Sequence, residues 1–287
     1  MTKVMLLGDT HGNTGFIINK VIPAAVEAGV HWIYQVGDFG YWEHTEGGAV
    51  FLNKVNAALV AAGLEIVFIQ GNHDKVSRIP NNYNELLGFY PVRTSIWYAP
   101  NGTQWEIEGK SFLALGGAYS IDKQWRLKAE KENAEAQVAQ QRVKYGNEYS
   151  IKHLTERAYE DNARTLWFPE EEMTNEEVNK IVASMKNVQI DVILAHDKPL
   201  ASNPLVKLMP IPECLPNQRR LQTAVNALQP KLFVHGHLHA RYTDTIRCGN
   251  ENAFTRVEGL GADVPNFNQI ESSWEPSDAW EILDLEG

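Results

Sequence analysis

The sequence is poor in cysteine. Only Cys214 and Cys248 occur in 287 residues, so neither a disulfide framework nor a thiolate metal site is available. Two unpaired thiols suit a reducing cytoplasm. Cationic charge is also short: 26 basic against 36 acidic residues give a formal net charge of −10. Such a chain repels a nucleic-acid backbone over most of its surface, so long nucleic acid is not an expected partner. Phosphate can still bind where bound cations reverse the local field. No apolar run approaches membrane-spanning length, so no membrane partner is expected. The opening MTKVMLLGDTHG has too short an apolar core for a signal peptide, and a cytoplasmic location is the expectation.

What is present is ample core material, 44% hydrophobic residues, in short apolar runs alternating with helical patterns. KVMLL (3–7), WIYQV (32–36) and EIVFIQ (65–70) read as strands. Between them, 14–30 reads as a helix broken or kinked at Pro23, and 49–63 as a helix ended by Gly63. This βαβαβ order predicts parallel strands with crossover helices. TQWEIEGKSFLALGG (103–117) predicts a hairpin across Glu108, Gly109 and Lys110. TNEEVNKIVASM (174–185) predicts a helix with a capping box from Thr174 to Glu177. Further strands are expected at 190–195, 231–235, 253–260 and 279–285. A single domain over 1–287 is expected, with a mainly helical insertion at about 121–188. Its segment LKAEKENAEAQVAQQRVKY (127–145) has helical propensity but little amphipathicity.

The chemistry-bearing residues fall at strand ends. Asp9 and His11 follow the first strand in GDTHG, and Asp38 the second in GDFG. Asn72, His73 and Asp74 follow the third in GNHD. His196 follows a fourth in AHDKP, and His237 and His239 a fifth in GHLH. Carboxyl ends of parallel strands line one crevice, so residues far apart in sequence are brought to one edge.

In order and strand context, these five motifs resemble the calcineurin-like metallophosphoesterases. The resemblance covers roughly residues 3–117 and 189–261. It implies an α/β fold, the four-layer αββα sandwich of that superfamily. It also implies two divalent metals: Asp9, His11 and His239 would ligate one, Asn72, His196 and His237 the other, and Asp38 both. Imidazole, carboxylate and one amide oxygen suit Mn²⁺ first, with Fe²⁺, Zn²⁺ or Ni²⁺ as alternatives. The implied reaction is in-line attack on phosphorus by a hydroxide shared between the two cations, with His73 as catalytic residue and not a ligand.

GDFGYWEH (37–44) departs from the GDxxDRG of the family's protein phosphatases. The acid that orients the catalytic histidine and the arginine that binds phosphate are both missing. Asp74 and His44 remain as candidate partners of His73. LGGAYSIDKQWR (115–126) and LWFPEEEMT (166–174) bracket the insertion and resemble the phage-encoded and bacterial branch with GDFG at the second motif. That branch implies phosphodiesterase activity on small phosphodiesters or nucleotides, 2′,3′-cyclic nucleotides included, in the host cytoplasm for a phage-encoded chain. Phe39, Tyr41 or Trp42 could stack on a nucleobase or pack in the core. Arg78, Arg93, Tyr119, Ser120, Arg126 and Trp167 are further candidate substrate contacts, the last four equally able to brace the insertion. His235 could orient a ligand or simply sit in the core.

Overall fold

Strand β1 (Lys3–Leu7) is apolar on both faces because both faces are covered. The side-chain period of two sends Val4 and Leu6 into one core and Met5 and Leu7 into another. β2 (Trp32–Gln35) and β3 (Glu65–Ile69) follow the same rule, with Tyr34 and Val67 on one side and Ile33 and Phe68 on the other. The structure is a computed structural model that describes residues 2–145, 151–204, 211–249, 253–264 and 274–286.

β1, β2 and β3 pair in parallel. β5 (Ile96–Ala99) joins them in parallel, while β4 (Tyr90–Arg93) and β12 (Trp280–Asp284) close the two edges antiparallel. The second six-stranded sheet has a parallel centre of β7 (Lys110–Leu115), β8 (Val192–Ala195), β9 (Leu232–His235) and β11 (Phe254–Gly259). Its antiparallel edges are β6 (Gln104–Ile107) and β10 (Tyr242–Arg247). β6 and β7 form the predicted hairpin, and Glu108 and Gly109 both take positive φ at its turn.

Helices cover the outer face of each sheet. Over the first lie α1 (Thr14–Phe16), a π-turn at Ile17–Val21, α2 (Ile22–Ala28) and α3 (Glu46–Ala62). The π-turn precedes Pro23, which sits in the first turn of α2 where a missing N–H costs little. α3 starts before the expected residue 49 because Thr45 caps it by accepting from the Gly48 N–H. Over the second sheet lie α6 (Asn175–Ser184), which has the predicted capping box, and α7 (Leu215–Leu228). The resulting order is helix, sheet, sheet, helix, with the Tyr34, Phe112 and Trp105 rings filling the space between the sheets.

α4 (Lys123–Tyr145) and α5 (Ile151–Asn162) occupy the stretch expected as an insertion, and residues 146–150 of it lie outside the described residues. The two helices bury Ala134, Val138 and Ala158. α4 also holds the chain that returns to the second sheet. One Glu130 oxygen accepts the backbone N–H groups of Thr165, Leu166 and Trp167 at 2.9, 2.8 and 2.9 Å. From the body of the protein, Lys75 Nζ donates to the Arg164 carbonyl at 2.6 Å. No helix among the described residues is long and apolar enough to cross a membrane.

Candidate metal centre

Each motif leaves its strand through a tight turn, and the turns carry the chemistry. His11, Asp38, His237 and His239 all have positive φ, at 44°, 55°, 61° and 50°. Non-glycine residues rarely adopt this region, and it is held only where surroundings over-determine it. Glycine provides the close approaches. A Cβ at Gly236 would stand 1.9 Å from Asp9 Oδ1, and one at Gly37 2.5 Å from His196 Nδ1.

The centre is built on two buried carboxylates. Asp9 is fully buried and its Oδ2 lies 3.1 Å from His239 Nε2 and 3.9 Å from His11 Nε2. Asp38 lies between both groups of histidines. Its Oδ2 is 3.8 Å from His11 Nε2, and its Oδ1 is 3.5 Å from His196 Nε2. Ligand atoms of Asp9, His11 and His239, and of Asp9, Asp38 and His196, each fall within 4.8 Å of one another. His196 Nε2 also lies 2.9 Å from Asn72 Oδ1, and the His196 and His237 ring centroids are 5.1 Å apart. All seven predicted ligand residues therefore meet at one place.

Outer partners aim the ligand atoms inward. His196 Nδ1 is 2.9 Å from the Val36 carbonyl, an acceptor, which puts the ring proton on Nδ1 and leaves Nε2 facing the carboxylates. Asn72 Nδ2 donates to Ser120 Oγ at 3.0 Å, which turns its amide oxygen toward the centre. His11 Nδ1 is 2.8 Å from Asp263 Oδ1, and Asn13 Nδ2 donates to Asp263 Oδ2 at 2.8 Å. Asp263 was not signalled by any motif.

The electrostatics call for positive charge here. Burial works to strip the proton from His11, yet Asp263, Asp9 and Asp38 outweigh it and push the ring up to about 9. At His196 burial is again outweighed, by Asp38 and Asp9 first, and the ring is pushed up to about 10. His237, by contrast, is driven down to about 3 by burial and by the neighbouring His196. Two buried carboxylates, a neutral imidazole and an amide oxygen fit divalent cations, which would take the place of the protons.

His73 sits at the rim. Its N–H donates to Asp38 Oδ1 at 2.8 Å, and its carbonyl accepts the Trp42 indole N–H at 2.6 Å. Its ring Nε2 is 3.8 Å from Asp38 Oδ2. The ring's nearest polar neighbour is neither Asp74 nor His44 but Arg126, whose Nη2 is 2.5 Å from Nδ1. Asp74 is buried and accepts instead from the N–H groups of Phe39, Gly40, Tyr41 and Gly71, which shapes the second-motif loop.

Several candidate substrate contacts lie elsewhere. Phe39 is a correction: it is fully buried and stacks on Phe68 with centroids 4.8 Å apart, so its ring cannot meet a base. Tyr41 is buried on the same ring. Trp42 is half-buried and braces the His73 backbone. Arg93 is held by Glu43 and Asn53, and Arg78 is exposed on a short 3-10 turn. Tyr119 is half-buried next to Lys123, whose Nζ also lies 4.2 Å from the Trp167 ring centroid. His235 is buried and makes no contact with the centre's carboxylates. Its Nε2 is 2.7 Å from Tyr242 Oη, and burial drives it down to about 4.

The sequence profile described as calcineurin-like phosphoesterase matches residues 2–241. No curated protein is matched by sequence. Among solved structures, the chain is similar to a dimetal phosphatase from Danio rerio at 13% identity and a TM-score of 0.52, over 98% of this chain and 91% of that one. It is also similar to a phosphopantetheinyl hydrolase from Mycobacterium tuberculosis at 16% identity and a TM-score of 0.44, over 91% of each chain. At 13% identity the likeness to the Danio rerio phosphatase concerns the fold alone.

Proposed function

We propose, from the premise that the chain belongs to the calcineurin-like phosphoesterase family, that it is a phosphodiesterase with two divalent metals acting on small phosphodiesters. The motif pattern resembles that of the phage-encoded and bacterial branch, which would make 2′,3′-cyclic nucleotides candidate substrates. The observation that carries the reading is the convergence of two buried carboxylates, Asp9 and Asp38, with four histidines and the Asn72 amide oxygen. Against a protein-phosphatase reading stands the second-motif loop, which has apolar Phe39 and Tyr41 folded into the core.

Asp9, His11 and His239 would hold one metal, Asn72, His196 and His237 the other, and Asp38 both, with Mn²⁺ the first choice. Bound divalent metals supply Lewis acidity to phosphoryl oxygens and lower the pKa of water. The chain's own residues do the placing. Val36, Ser120 and Asp263 set the directions of His196, Asn72 and His11. Asp38 and Trp42 fix the His73 backbone from both sides, so its ring offers a nitrogen to an oxygen of the substrate at the rim. Family and charge both fit a small substrate: a net charge of −10 weighs against a nuclease acting on long strands.

The test is a parallel assay of bis- and mono-p-nitrophenyl phosphate with Mn²⁺, followed by a panel of 2′,3′-cyclic, 3′,5′-cyclic and linear nucleotides. Diester turnover is expected to dominate. A large preference for the monoester would overturn the proposal.

A further inference from the structure

The second motif lacks the arginine that binds phosphate in the protein phosphatases, and α4 brings a different arginine beside His73. Arg126 lies in the first turns of α4, and its side chain is 15% exposed. Two of its nitrogens are tied down. Nε donates to Asp122 Oδ2 and Nη1 to the Leu166 carbonyl, each at 2.8 Å. The third, Nη2, is 2.5 Å from His73 Nδ1 and 3.3 Å from Nε2. A donor in line with one imidazole lone pair would stand far from the other nitrogen. Nη2 is close to both, so it meets the ring off the axis of either lone pair. A guanidinium has only donors, and this one presents Nη2 beside His73 at the rim of the centre, where a phosphoryl oxygen is the better acceptor.

The anchor behind this arm is rigid. One helical turn beyond Arg126, Glu130 gathers the N–H groups of Thr165, Leu166 and Trp167, and so fixes the Leu166 carbonyl that holds Nη1. We propose that Arg126 binds a phosphoryl oxygen of the substrate, so that the helical segment completes the active site and is not only a surface addition. The proposal rests on the phosphoesterase reading above. The occupant is the phosphoryl group because a planar guanidinium with one arm fixed by a carboxylate and one by a carbonyl is pre-set for an oxyanion.

The experiment measures binding of inorganic phosphate to the Mn²⁺-loaded protein by calorimetry, beside KM and kcat for bis-p-nitrophenyl phosphate and bound metal content. Arg126→Ala is expected to weaken phosphate by about ten- to a hundredfold, the effect of one lost charge-assisted hydrogen bond. Metal content should stay at the wild-type value, and free guanidinium ion should restore part of the lost turnover. Unchanged phosphate affinity in Arg126→Ala overturns the proposal, as does guanidinium having no effect on a variant that has lost affinity. Should Arg126→Ala lose its fold, Arg126→Lys decides. It keeps the charge without the planar fork, so weaker phosphate binding supports the assignment and wild-type affinity refutes it. Phosphate is not a substrate, so the two readings fail separately. A wild type inactive on every phosphodiester sinks the proposed activity, while loss of phosphate binding in Arg126→Ala still supports the arginine.

Discussion

Replacing Asp263 by alanine removes an acceptor from two neighbours at once. His11 Nδ1 and Asn13 Nδ2 each stand 2.8 Å from its oxygens. The Asp263 side chain is 5% exposed, so water has little access to fill the gap. A hydrogen bond to a charged group contributes about 1.5–3 kcal/mol, roughly ten- to a hundredfold in an equilibrium constant. Outer partners of metal-binding histidines fall in the same range, about 10–100-fold in affinity. Without Asp263 the His11 ring loses the contact that turns Nε2 toward Asp9 and Asp38. Mn²⁺ binding followed by calorimetry, with a competing chelator, resolves the two sites. Asp263→Ala is expected to weaken one site by that factor and leave the other unchanged. Asp263→Asn keeps an acceptor oxygen and should lose less. Equal weakening at both sites, or at neither, would refute the placement of Asp263 behind a ligand of one metal.

Three further outcomes follow from the same geometry. His73→Ala should lower turnover by about 10²–10⁴-fold with full metal content, whereas His237→Ala should lower metal occupancy; equal metal loss in both variants contradicts the roles given to them. Gly236→Ala places a methyl 1.9 Å from Asp9 Oδ1, and the overpacking should cost about 1–3 kcal/mol together with metal affinity, read by denaturant titration and metal analysis. Asp191 precedes β8, at the end opposite His196, with Oδ2 accepting the Ser111 N–H and Oδ1 paired with Lys231. Burial works to raise its carboxyl, but these two donors outweigh it and hold the group below its ordinary value. The ionised form therefore stabilises the fold above the unfolded-state pKa, and that contribution fades as pH falls through the lower folded-state value. Asp191→Asn should lower the melting temperature at neutral pH and converge on wild type in acid; a constant difference at every pH would contradict this.

The strands that carry the centre were legible because their signals are local. Apolar runs at 3–7, 32–36 and 65–70 end at Gly-Asp and Gly-Asn-His turns, and the structure ends β1, β2 and β3 within a residue or so of those points. α3 and α4 were placed correctly in kind, but both begin earlier than their apolar or helix-forming texture suggests. Thr45 starts α3 despite two glycines in the next turns. β10 carries no apolar run to mark it, because an edge strand shows one face to water, and YTDTIR alternates accordingly. α7 was not anticipated, and its sequence LPNQRRLQTAVNAL buries Asn217 and Gln218, residues that normally signal a solvated face. The sequence leaves Phe39 open between base stacking and core packing for a related reason: the loop that follows β2 turns its aromatics back onto Phe68, a tertiary contact no window contains. Asp263 is named by no motif, and Arg126, a candidate substrate contact in sequence, shows no link to His73 there, because each meets its histidine across a long span of chain, 252 residues for His11 and 53 for His73.

The Glu130 carboxylate has a practical consequence for engineering. It is the last residue of α4 shown to tie that helix to the returning chain near the centre, since its oxygen holds Thr165, Leu166 and Trp167 together. The rest of α4 and α5 makes a helical pair that holds itself together through Ala134, Val138, Ala158 and the Asn162–Gln137 bond. A splice point placed beyond Glu130 on one arm and before Thr165 on the other would exchange this pair for a reporter domain or a shorter link. The first two turns of α4, and the reactive rim they serve, would stay in place.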